Sequence, residues 1–199
     1  MNRFYMFAHA LLTPFVRLFF PTRVVGLENL PEDGALLCAN HASGWDPFLI
    51  AIALPVDSRL TVMAKDQLFH IPVVGWFLRK AGVFPVKRGG NDLTAMKTAI
   101  RALNGGNRLL VFPEGTRVEE EGSGEAKGGV TVMAARTGVP MVPIYCGPKH
   151  KFLRKTTIAF GDPYRPVIAG RRPTAEENRQ IAGEILRRIY ELKEVDGWK

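Results

Sequence analysis

A histidine and an aspartate lie five residues apart in the stretch NHASGWD, at residues 40–46. The neutral imidazole of a histidine can take a proton near pH 7, and a nearby carboxylate can fix its tautomer and stabilise the imidazolium. His41 and Asp46 are therefore candidates for a general base and the carboxylate that orients it. The same spacing also suits a structural pair, in which Asp46 caps a helix that begins before Pro47.

A second polar stretch, FPEGTR at residues 112–117, directly follows an apolar run. A glutamate, a glycine, a hydroxyl and an arginine in succession make a compact turn that can present backbone N–H groups and a guanidinium to a phosphate. The stretch PVKRGG at residues 85–90 adds two positive charges, and its glycines allow close approach of the backbone. A single basic residue is usually a solvated surface charge, but the shared position after apolar runs favours one anion-binding site. Its candidate residues are Lys87, Arg88, Glu114, Gly115, Thr116 and Arg117.

The apolar pattern predicts a sheet that can position these residues. Five short apolar runs are bounded by Gly, Asn or Pro, as buried strands are. They lie at residues 35–40, 60–64, 82–86, 108–112 and 141–145. The chain alternates such runs with helical segments and has neither an internal repeat nor a linker that would divide it. We therefore predict a single α/β domain over residues 22–199, with a central mixed sheet flanked by helices.

Capping residues and apolar spacing predict two further helices clearly. The first ends at a Gly-Gly pair and begins at a cap supplied by Asn91 or Asp92. The second, over residues 174–193, has Thr174 as its N-cap and Glu177 at the capping-box position. The predicted buried faces are Leu93, Met96, Ile100 and Leu103 in the first helix, and Ile181, Ile185, Leu186, Ile189 and Leu192 in the second.

The unusual polar residues come just after predicted strands. His41, Lys87 and Glu114 each follow a different apolar run. In open α/β sheets, ligands usually bind in the crevice beyond the carboxyl ends of the strands. We therefore expect these residues to share one edge of the sheet. Because a glutamate cannot attract a phosphate, we expect Glu114 to hold Arg117 or a hydroxyl of the substrate.

The first 21 residues are the most apolar and aromatic part of the chain. His9, Pro14 and Arg17 interrupt them before the roughly 18 apolar residues of a membrane-spanning helix accumulate. The spacing predicts an amphipathic helix within residues 1–21, which is either an interfacial membrane anchor or a helix docked on the core, and periodicity alone does not decide between them. Its apolar residues are Phe4, Phe7, Leu11, Phe15, Leu18 and Phe19.

The composition is that of a basic globular protein, because 46% of the 199 residues are hydrophobic and the formal net charge is +8. This charge requires an anionic partner, such as nucleic acid, anionic lipid or a phosphorylated substrate. Cys38 and Cys146 are too few and too far apart for a disulfide framework or a Cys-rich zinc site, which favours a reducing compartment. Cys38 lies near His41, but its small apolar side chain suits a buried strand better than a nucleophilic role.

Four stretches together resemble the motifs of the 1-acylglycerol-3-phosphate acyltransferases, or lysophosphatidate acyltransferases, of the glycerolipid acyltransferase superfamily. They follow the family's order and spacing, and the resemblance covers nearly the whole chain after residue 22. The stretches are NHASGWD (40–46), GVFPVKRG (82–89), VFPEGTR (111–117) and VPMVPIY (139–145). The departures are small: Val118 stands where a serine commonly follows the arginine, and Lys87 stands where an acidic or small residue is frequent.

The resemblance implies an acyltransferase that makes phosphatidate in phospholipid biosynthesis. His41 would deprotonate the free hydroxyl of lysophosphatidate, Asp46 would orient His41, and the hydroxyl would attack an acyl thioester directly, without an acyl-enzyme. The donor would be acyl-CoA or acyl-carrier protein, with no cofactor and no metal ion. The residues implied in substrate binding are Arg88, Glu114, Gly115, Thr116 and Arg117 for the acceptor and its phosphate, and Pro143 for the acyl donor or acyl chain. Lys87, beside Arg88, is included as a further candidate for substrate binding because of its charge.

The lipid substrate implies a membrane surface as a partner, with the protein held peripherally or monotopically on the cytoplasmic face. Another lysolipid, or a glycerol phosphate, is an alternative acceptor. A nucleic-acid-binding domain would explain the charge and the basic stretch at residues 147–155, but it leaves Glu114 without a role. A metal-dependent hydrolase that uses His41 and Asp46 as ligands would need further ligands at useful spacing. We therefore predict an acyltransferase that binds no nucleic acid.

Overall fold

The computed structural model describes residues 2–87, 92–117, 124, 126–147, 152–170 and 172–194. The strands are β1 (Thr22–Val25), β2 (Leu36–Ala39), β3 (Leu60–Lys65), β4 (Phe84–Val86), β5 (Arg108–Val111), β6 (Met141–Cys146) and β7 (Thr156–Phe160). The helices are α1 (Arg3–Phe19), α2 (Asp46–Ala53), α3 (Pro72–Lys80), α4 (Leu93–Asn104), α5 (Gly129–Thr137) and α6 (Ala175–Glu191), with short 3-10 helices at Leu27–Asn29, Asp66–His70 and Leu192–Glu194.

The described strands form one mixed sheet in the order β1-β7-β6-β2-β5-β3-β4. Neighbouring strands run parallel except β6 and β7, which are antiparallel. The predicted single α/β domain with a mixed sheet is confirmed. Because β2, β5, β3 and β4 are parallel neighbours, the residues that follow them emerge at the same edge of the sheet.

Five strands coincide with the predicted apolar runs, but β1 and β7 were not predicted. The two are parallel partners, with Thr22 opposite Thr156 and Val25 opposite Ala159. Each is short and carries threonine, so neither stands out as a continuous apolar run. Their strand character depends on pairing between segments at opposite ends of the chain, which local propensity does not report.

Both faces of the sheet are buried, which explains why its strands read as continuous apolar runs. Leu36 and Cys38 of β2 pack with α4, α5 and α6 on one face. Leu37 and Ala39 pack with α1 and α2 on the other face. Side chains alternate along a strand with a period of two, so the four residues of β2 serve both cores.

The two clearly predicted helices begin at the expected caps. Asp92 accepts hydrogen bonds from the backbone of α4, and Thr174 forms the capping box with Glu177 at the start of α6. Asn91 lies outside the described residues. The predicted burial of Leu93 is wrong, because its side chain is 68% exposed. The face that α4 buries is Ala95, Ala99 and Leu103, and at 3.6 residues per turn Leu93 lies on the other side.

Helix α1 has an inner side that packs on the domain. Ala8 is buried, and Tyr5, Val16 and Phe20 pack partly buried against the core that α2 shares. Phe4, predicted to lie on the same face as Phe7, instead contacts the rings of Trp76 and Phe77 in α3, with centroids 5.5 and 5.7 Å away. The helix is therefore docked on the core along its length.

Polar side chains of α1 also complete the end of α2. His9 Nε2 lies 3.2 Å from the carbonyl oxygen of Ala51, and Arg17 Nη2 lies 3.5 Å from that of Ile52. These carbonyls belong to the last turn of α2, where C=O groups have no partner within the helix. Helix α1 thus supports the helix whose first residue is Asp46.

The outer side of α1 is also apolar. It carries six exposed large side chains, and we call this set the exposed apolar face of α1. Its members are Phe7, Leu11, Leu12, Phe15, Leu18 and Phe19. No helix in the described part of the chain is both long and apolar enough to cross a membrane.

Candidate active site

His41 and Asp46 are in direct contact. Nδ1 of His41 lies 3.0 Å from Oδ2 of Asp46, the Asp46 side chain is fully buried, and His41 is 8% exposed. A carboxylate oxygen can only accept, so the contact places a proton on Nδ1. The other ring nitrogen, Nε2, has no hydrogen-bond partner among the described residues. This tautomer leaves the lone pair of Nε2 free to take a proton from a substrate.

The loop between the two residues folds around the Asp46 carboxylate. Oδ2 of Asp46 also accepts hydrogen bonds from the backbone N–H groups of Ala42 (2.9 Å) and Ser43 (2.8 Å). The suggestion that Asp46 caps α2 is wrong: Trp45 occupies the N-cap position without a side-chain bond, and Asp46 is the first helical residue. Its carboxylate turns back to the loop because three donors converge there, and Pro47 occupies the first turn of the helix as expected.

Glu114 holds the backbone of His41. Its Oε2 accepts from the backbone N–H of His41 at 3.0 Å, and its Oε1 accepts from the hydroxyl of Tyr190 at 2.5 Å. Glu114 is 2% exposed. Glu114 was expected to hold Arg117 or a substrate hydroxyl. Among the described residues its oxygens bind the His41 backbone and Tyr190, not Arg117, and the contact with a substrate hydroxyl stays a prediction. A sequence gives no local signal for this partnership, since Tyr190 lies in α6, far along the chain.

Asn40 is a second residue that sequence reasoning missed. Its side-chain oxygen accepts from the backbone N–H of Cys146 at 2.7 Å, and its side-chain nitrogen donates to the carbonyl of Cys146 at 2.9 Å. This two-bond clamp joins the end of β2 to the end of β6 directly before His41. The signal that could have identified it is an asparagine at the end of a buried strand, next to a candidate base.

The His41 ring lies against an aromatic wall. The Phe112 ring stacks on it with centroids 4.1 Å apart, and Phe112 directly follows β5.

Burial raises the pKa of the Cys38 thiol, and burial together with the nearby Asp46 carboxylate raises the pKa of the Cys146 thiol. Both thiols are therefore held protonated, and Cys38, which donates to the Leu36 carbonyl, is not placed as a nucleophile.

The turn that carries Glu114 brings Arg117 to the same loop. Phe112 accepts a hydrogen bond from the N–H of Gly115 at 2.9 Å, and Gly115 adopts φ +71°, a conformation that favours glycine. Thr116 and Arg117 are exposed. A methyl group on Gly44 would lie 4.0 Å from Nη1 of Arg117, so the guanidinium sits beside the loop between His41 and Asp46.

A lysine that the sequence did not single out joins this turn. The backbone N–H of Lys127 donates to the carbonyl of Pro113 at 2.7 Å. A methyl group on Gly115 would lie 3.0 Å from Cγ of Lys127, so the aliphatic part of the side chain covers the turn. Lys127 is exposed and adds a cation to the turn that carries Glu114 and Gly115.

Lys87 and Pro143, which were also predicted to bind substrate, lie on other elements than the His41 loop and the Glu114 turn. Lys87 is exposed and follows the edge strand β4, which β3 separates from β5. Arg88 lies outside the described residues. Pro143 is buried in β6, opposite Cys38 of β2, and its carbonyl accepts from the N–H of Gly161 at 2.9 Å. No cluster of three or more potential metal ligands occurs among the described residues.

The part of the chain that carries this site matches a known protein family. A family model described as Acyltransferase matches residues 21–147, which include the His41 loop, the Glu114 turn and Pro143. The chain belongs to the acyltransferase family. The resemblance seen in the four sequence motifs is thereby confirmed, and Tyr190 lies beyond the matched residues.

Individual relatives of this acyltransferase family member support the assignment. Over 177 residues it is 31% identical to a 1-acyl-sn-glycerol-3-phosphate acyltransferase of Bacillus subtilis, covering 86% of this chain and 87% of that protein. It is 35% identical over 130 residues to the chloroplastic 1-acyl-sn-glycerol-3-phosphate acyltransferase BAT2 of Brassica napus, covering 63% of this chain and 37% of that one. The chain thus spans little more than a third of the length of the plant relative.

A solved structure shares the fold. The crystal structure of the 1-acyl-sn-glycerophosphate (LPA) acyltransferase PlsC from Thermotoga maritima superposes with a TM-score of 0.71 at 27% identity. The match covers 98% of this chain and 80% of the PlsC chain. It therefore includes both the sheet and α1 of this family member.

Proposed function

We propose that this protein transfers a fatty acyl group from an acyl thioester to the free hydroxyl of 1-acylglycerol-3-phosphate, giving phosphatidate. The observation that carries the proposal is the His41–Asp46 pair, in which Nδ1 is bound at 3.0 Å and Nε2 is left for a substrate. The names of the Bacillus subtilis and Thermotoga maritima relatives support lysophosphatidate as the acceptor. A different lysolipid or a glycerol phosphate is the alternative acceptor.

In the proposed reaction, Nε2 of His41 takes the proton of the acceptor hydroxyl as its oxygen attacks the thioester carbonyl. Asp46 stabilises the imidazolium that forms. When the tetrahedral intermediate collapses, the carbon–sulfur bond breaks and the proton passes from His41 to the leaving thiolate. The products are an ester and a free thiol, and no acyl-enzyme forms. The buried, protonated thiols of Cys38 and Cys146 support this direct transfer.

The acceptor phosphate is proposed to bind beside the loop between His41 and Asp46. Arg117 lies against that loop, and Lys127 covers the neighbouring turn. Charge-assisted hydrogen bonds from a guanidinium suit a phosphate oxygen well. We propose Lys87, which follows β4, as a further cation for this acceptor, together with Arg88, its neighbour in the sequence, and with Thr116 and Gly115 shaping the turn.

The donor is proposed to be acyl-CoA or acyl-carrier protein. A thioester is sufficiently activated for direct attack by a hydroxyl, and either carrier would leave as a thiol. Pro143 is proposed to line the region of the acyl donor or its chain, because β6 ends beside β2 and the His41 loop. No cofactor takes part in this proposal.

We also propose that the protein docks on a membrane surface through the exposed apolar face of α1. Six large apolar side chains on one helix exceed what a soluble surface normally gathers in one place. This face continues toward the site: Phe19 stacks on Phe152 at 5.4 Å, and Phe20 contacts Trp45 at 5.2 Å. Trp45 directly precedes Asp46. A lipid acceptor could therefore pass from the bilayer to the base along an apolar surface.

The cytoplasmic face is the membrane side we propose, with peripheral or monotopic attachment. The net charge of +8 suits the anionic lipids of that leaflet. Both cysteines are buried and neither forms a disulfide, which agrees with a reducing compartment.

The proposal is tested by following a radiolabelled acyl group from acyl-CoA and from acyl-carrier protein in the presence of lysophosphatidate and a metal chelator. We expect labelled phosphatidate and no labelled free fatty acid. Lysolipids without a phosphate are the matched control acceptors. Release of free fatty acid would indicate a hydrolase, and equal transfer to acceptors with and without phosphate would contradict lysophosphatidate as the substrate.

A further inference from the structure

The C-terminal helix reaches into the active site through one hydroxyl group. Tyr190 lies on α6, and its hydroxyl donates to Oε1 of Glu114 at 2.5 Å. The other oxygen of the same carboxylate accepts from the backbone N–H of His41 at 3.0 Å. A continuous chain of hydrogen bonds therefore leads from α6 to the backbone of the proposed base.

Burial makes the carboxylate of Glu114 dependent on both donors. Glu114 is 2% exposed, so water does not replace a lost partner easily. An acceptor without a donor in the interior is costly, and a carboxylate that loses one donor turns to find another. If Oε1 loses the Tyr190 hydroxyl, the orientation of Oε2 toward the His41 N–H is no longer fixed.

The position of the Tyr190 hydroxyl is itself set by packing. The Tyr190 ring makes an edge contact with the buried Tyr145 ring of β6, with centroids 6.1 Å apart. Helix α6 is anchored by the fully buried Ile185 and Ile189, which lie one turn apart on the face that meets the sheet. The Tyr190 hydroxyl thus reaches Glu114 from a helix that is held in place by its packing on the sheet.

We propose that Tyr190 is a positioning residue for acyl transfer, which acts through Glu114 to hold the backbone of His41 in place. This inference rests on the proposed function, since it assigns His41 as the base. It concerns a residue beyond residues 21–147, the part matched by the family model. The hydroxyl donates to Glu114, so we expect its loss to lower the rate of the chemical step and to leave substrate binding nearly unchanged.

The test compares two substitutions that each remove one tyrosine hydroxyl. Tyr190→Phe keeps the ring and its contact with Tyr145, and we expect kcat to fall about tenfold while the KM values of donor and acceptor stay within about twofold. Tyr5→Phe is the matched control, because the Tyr5 hydroxyl is buried without a hydrogen-bond partner among the described residues and burial raises its pKa to about 12. We expect the control to keep normal kcat.

A double-mutant cycle shows whether Tyr190 acts through Glu114. Glu114→Ala removes the carboxylate, so adding Tyr190→Phe should lower kcat by less than about twofold further. Multiplicative losses in the double variant, or a normal kcat in Tyr190→Phe alone, would overturn the proposal. Melting temperatures of the variants identify any that fold poorly.

Hydrogen exchange at the His41 amide gives a readout that needs no activity. We expect Tyr190→Phe to speed this exchange several-fold relative to the unmodified protein, and Tyr5→Phe to leave it unchanged. An unchanged exchange rate in Tyr190→Phe would contradict the positioning role even if kcat fell. Absence of acyl transfer in the unmodified protein would refute the proposed function instead, and the exchange measurement would still decide whether Tyr190 fixes the His41 backbone.

Discussion

The loop around His41 is held by hydrogen bonds from several distant segments, whereas the outer side of α1 carries six large apolar side chains with no such constraint. At the loop, Asp46, Glu114 and Asn40 each place a polar atom within hydrogen-bond distance of a specific partner. On α1, the side chains share only their apolar character and their exposure. The two regions therefore meet different physical requirements.

Hydrogen bonds are directional, so a site that depends on them loses its geometry when one partner is removed. Apolar burial is non-directional and scales with area, so a docking face loses affinity gradually as area is removed. We therefore expect steep effects on the rate from single substitutions near His41, and graded effects on membrane binding from substitutions on α1.

The largest effect is expected from removing the proposed base. His41→Ala should lower kcat for acyl transfer about a hundredfold or more, because this is the usual cost of losing a general base. The variant should bind lipid vesicles as the unmodified protein does, since His41 is buried and is not part of the exposed apolar face of α1. Steady-state rates and vesicle cosedimentation on the same preparations measure both.

Cys38→Ala is the control for this substitution. It alters a buried residue of β2 close to His41, and we expect kcat within about twofold of normal. Near-normal turnover in His41→Ala, or inactivity of a folded Cys38→Ala protein, would show that the rate does not depend on the His41–Asp46 pair.

An intermediate effect is expected at Arg117, which is exposed and whose contacts are less constrained than those of His41. Arg117→Ala should raise the KM for lysophosphatidate about tenfold and change the KM for the acyl donor much less, because a charge-assisted contact with the phosphate is lost. Arg101→Ala, near the last turn of α4, removes a similar charge away from the loop and is the control. Equal increases in the KM values of both substrates would indicate that Arg117 positions the donor or supports the fold instead.

The smallest effect per residue is expected on the exposed apolar face of α1. Partial insertion of one such side chain into lipid contributes about 1 kcal/mol, which corresponds to about fivefold in vesicle partitioning. Leu11→Ser and Phe15→Ser should therefore each weaken vesicle binding by about that factor, with nearly multiplicative effects in the double variant. High salt alone should release only part of the protein, because headgroup attraction is the smaller contribution.

Val167→Ser is the control for α1, since Val167 is also a strongly exposed apolar residue but lies outside the helix. It should leave vesicle binding unchanged. Point substitutions are preferable to deleting α1, because Tyr5, Val16 and Phe20 pack on the core and a deletion would uncover it. If Leu11→Ser and Phe15→Ser bound vesicles normally, the exposed face would not be the docking surface.

The sequence was most informative where partners are close along the chain. The pairing of His41 with Asp46 follows from a short loop that can bring the two side chains together. The caps at Asp92 and Thr174 were predicted because an N-cap bonds to backbone groups within three residues. Two predictions were wrong: Asp46 does not cap α2, because its carboxylate accepts from its own loop, and Leu93 faces solvent, because periodicity identifies an apolar face only approximately.

The partners of Glu114 and Asn40, and the two apolar sides of α1, were decided by the tertiary structure alone. Glu114 meets Tyr190 because α6 packs across the sheet, and Asn40 meets Cys146 because β6 lies next to β2 in the strand order. The amino-acid sequence by itself determined the family, the order of the motifs and the types of the reacting residues. Strand order and helix packing join segments far apart in the chain, so they alone determined which polar atoms support the proposed base and which apolar side chains remain exposed.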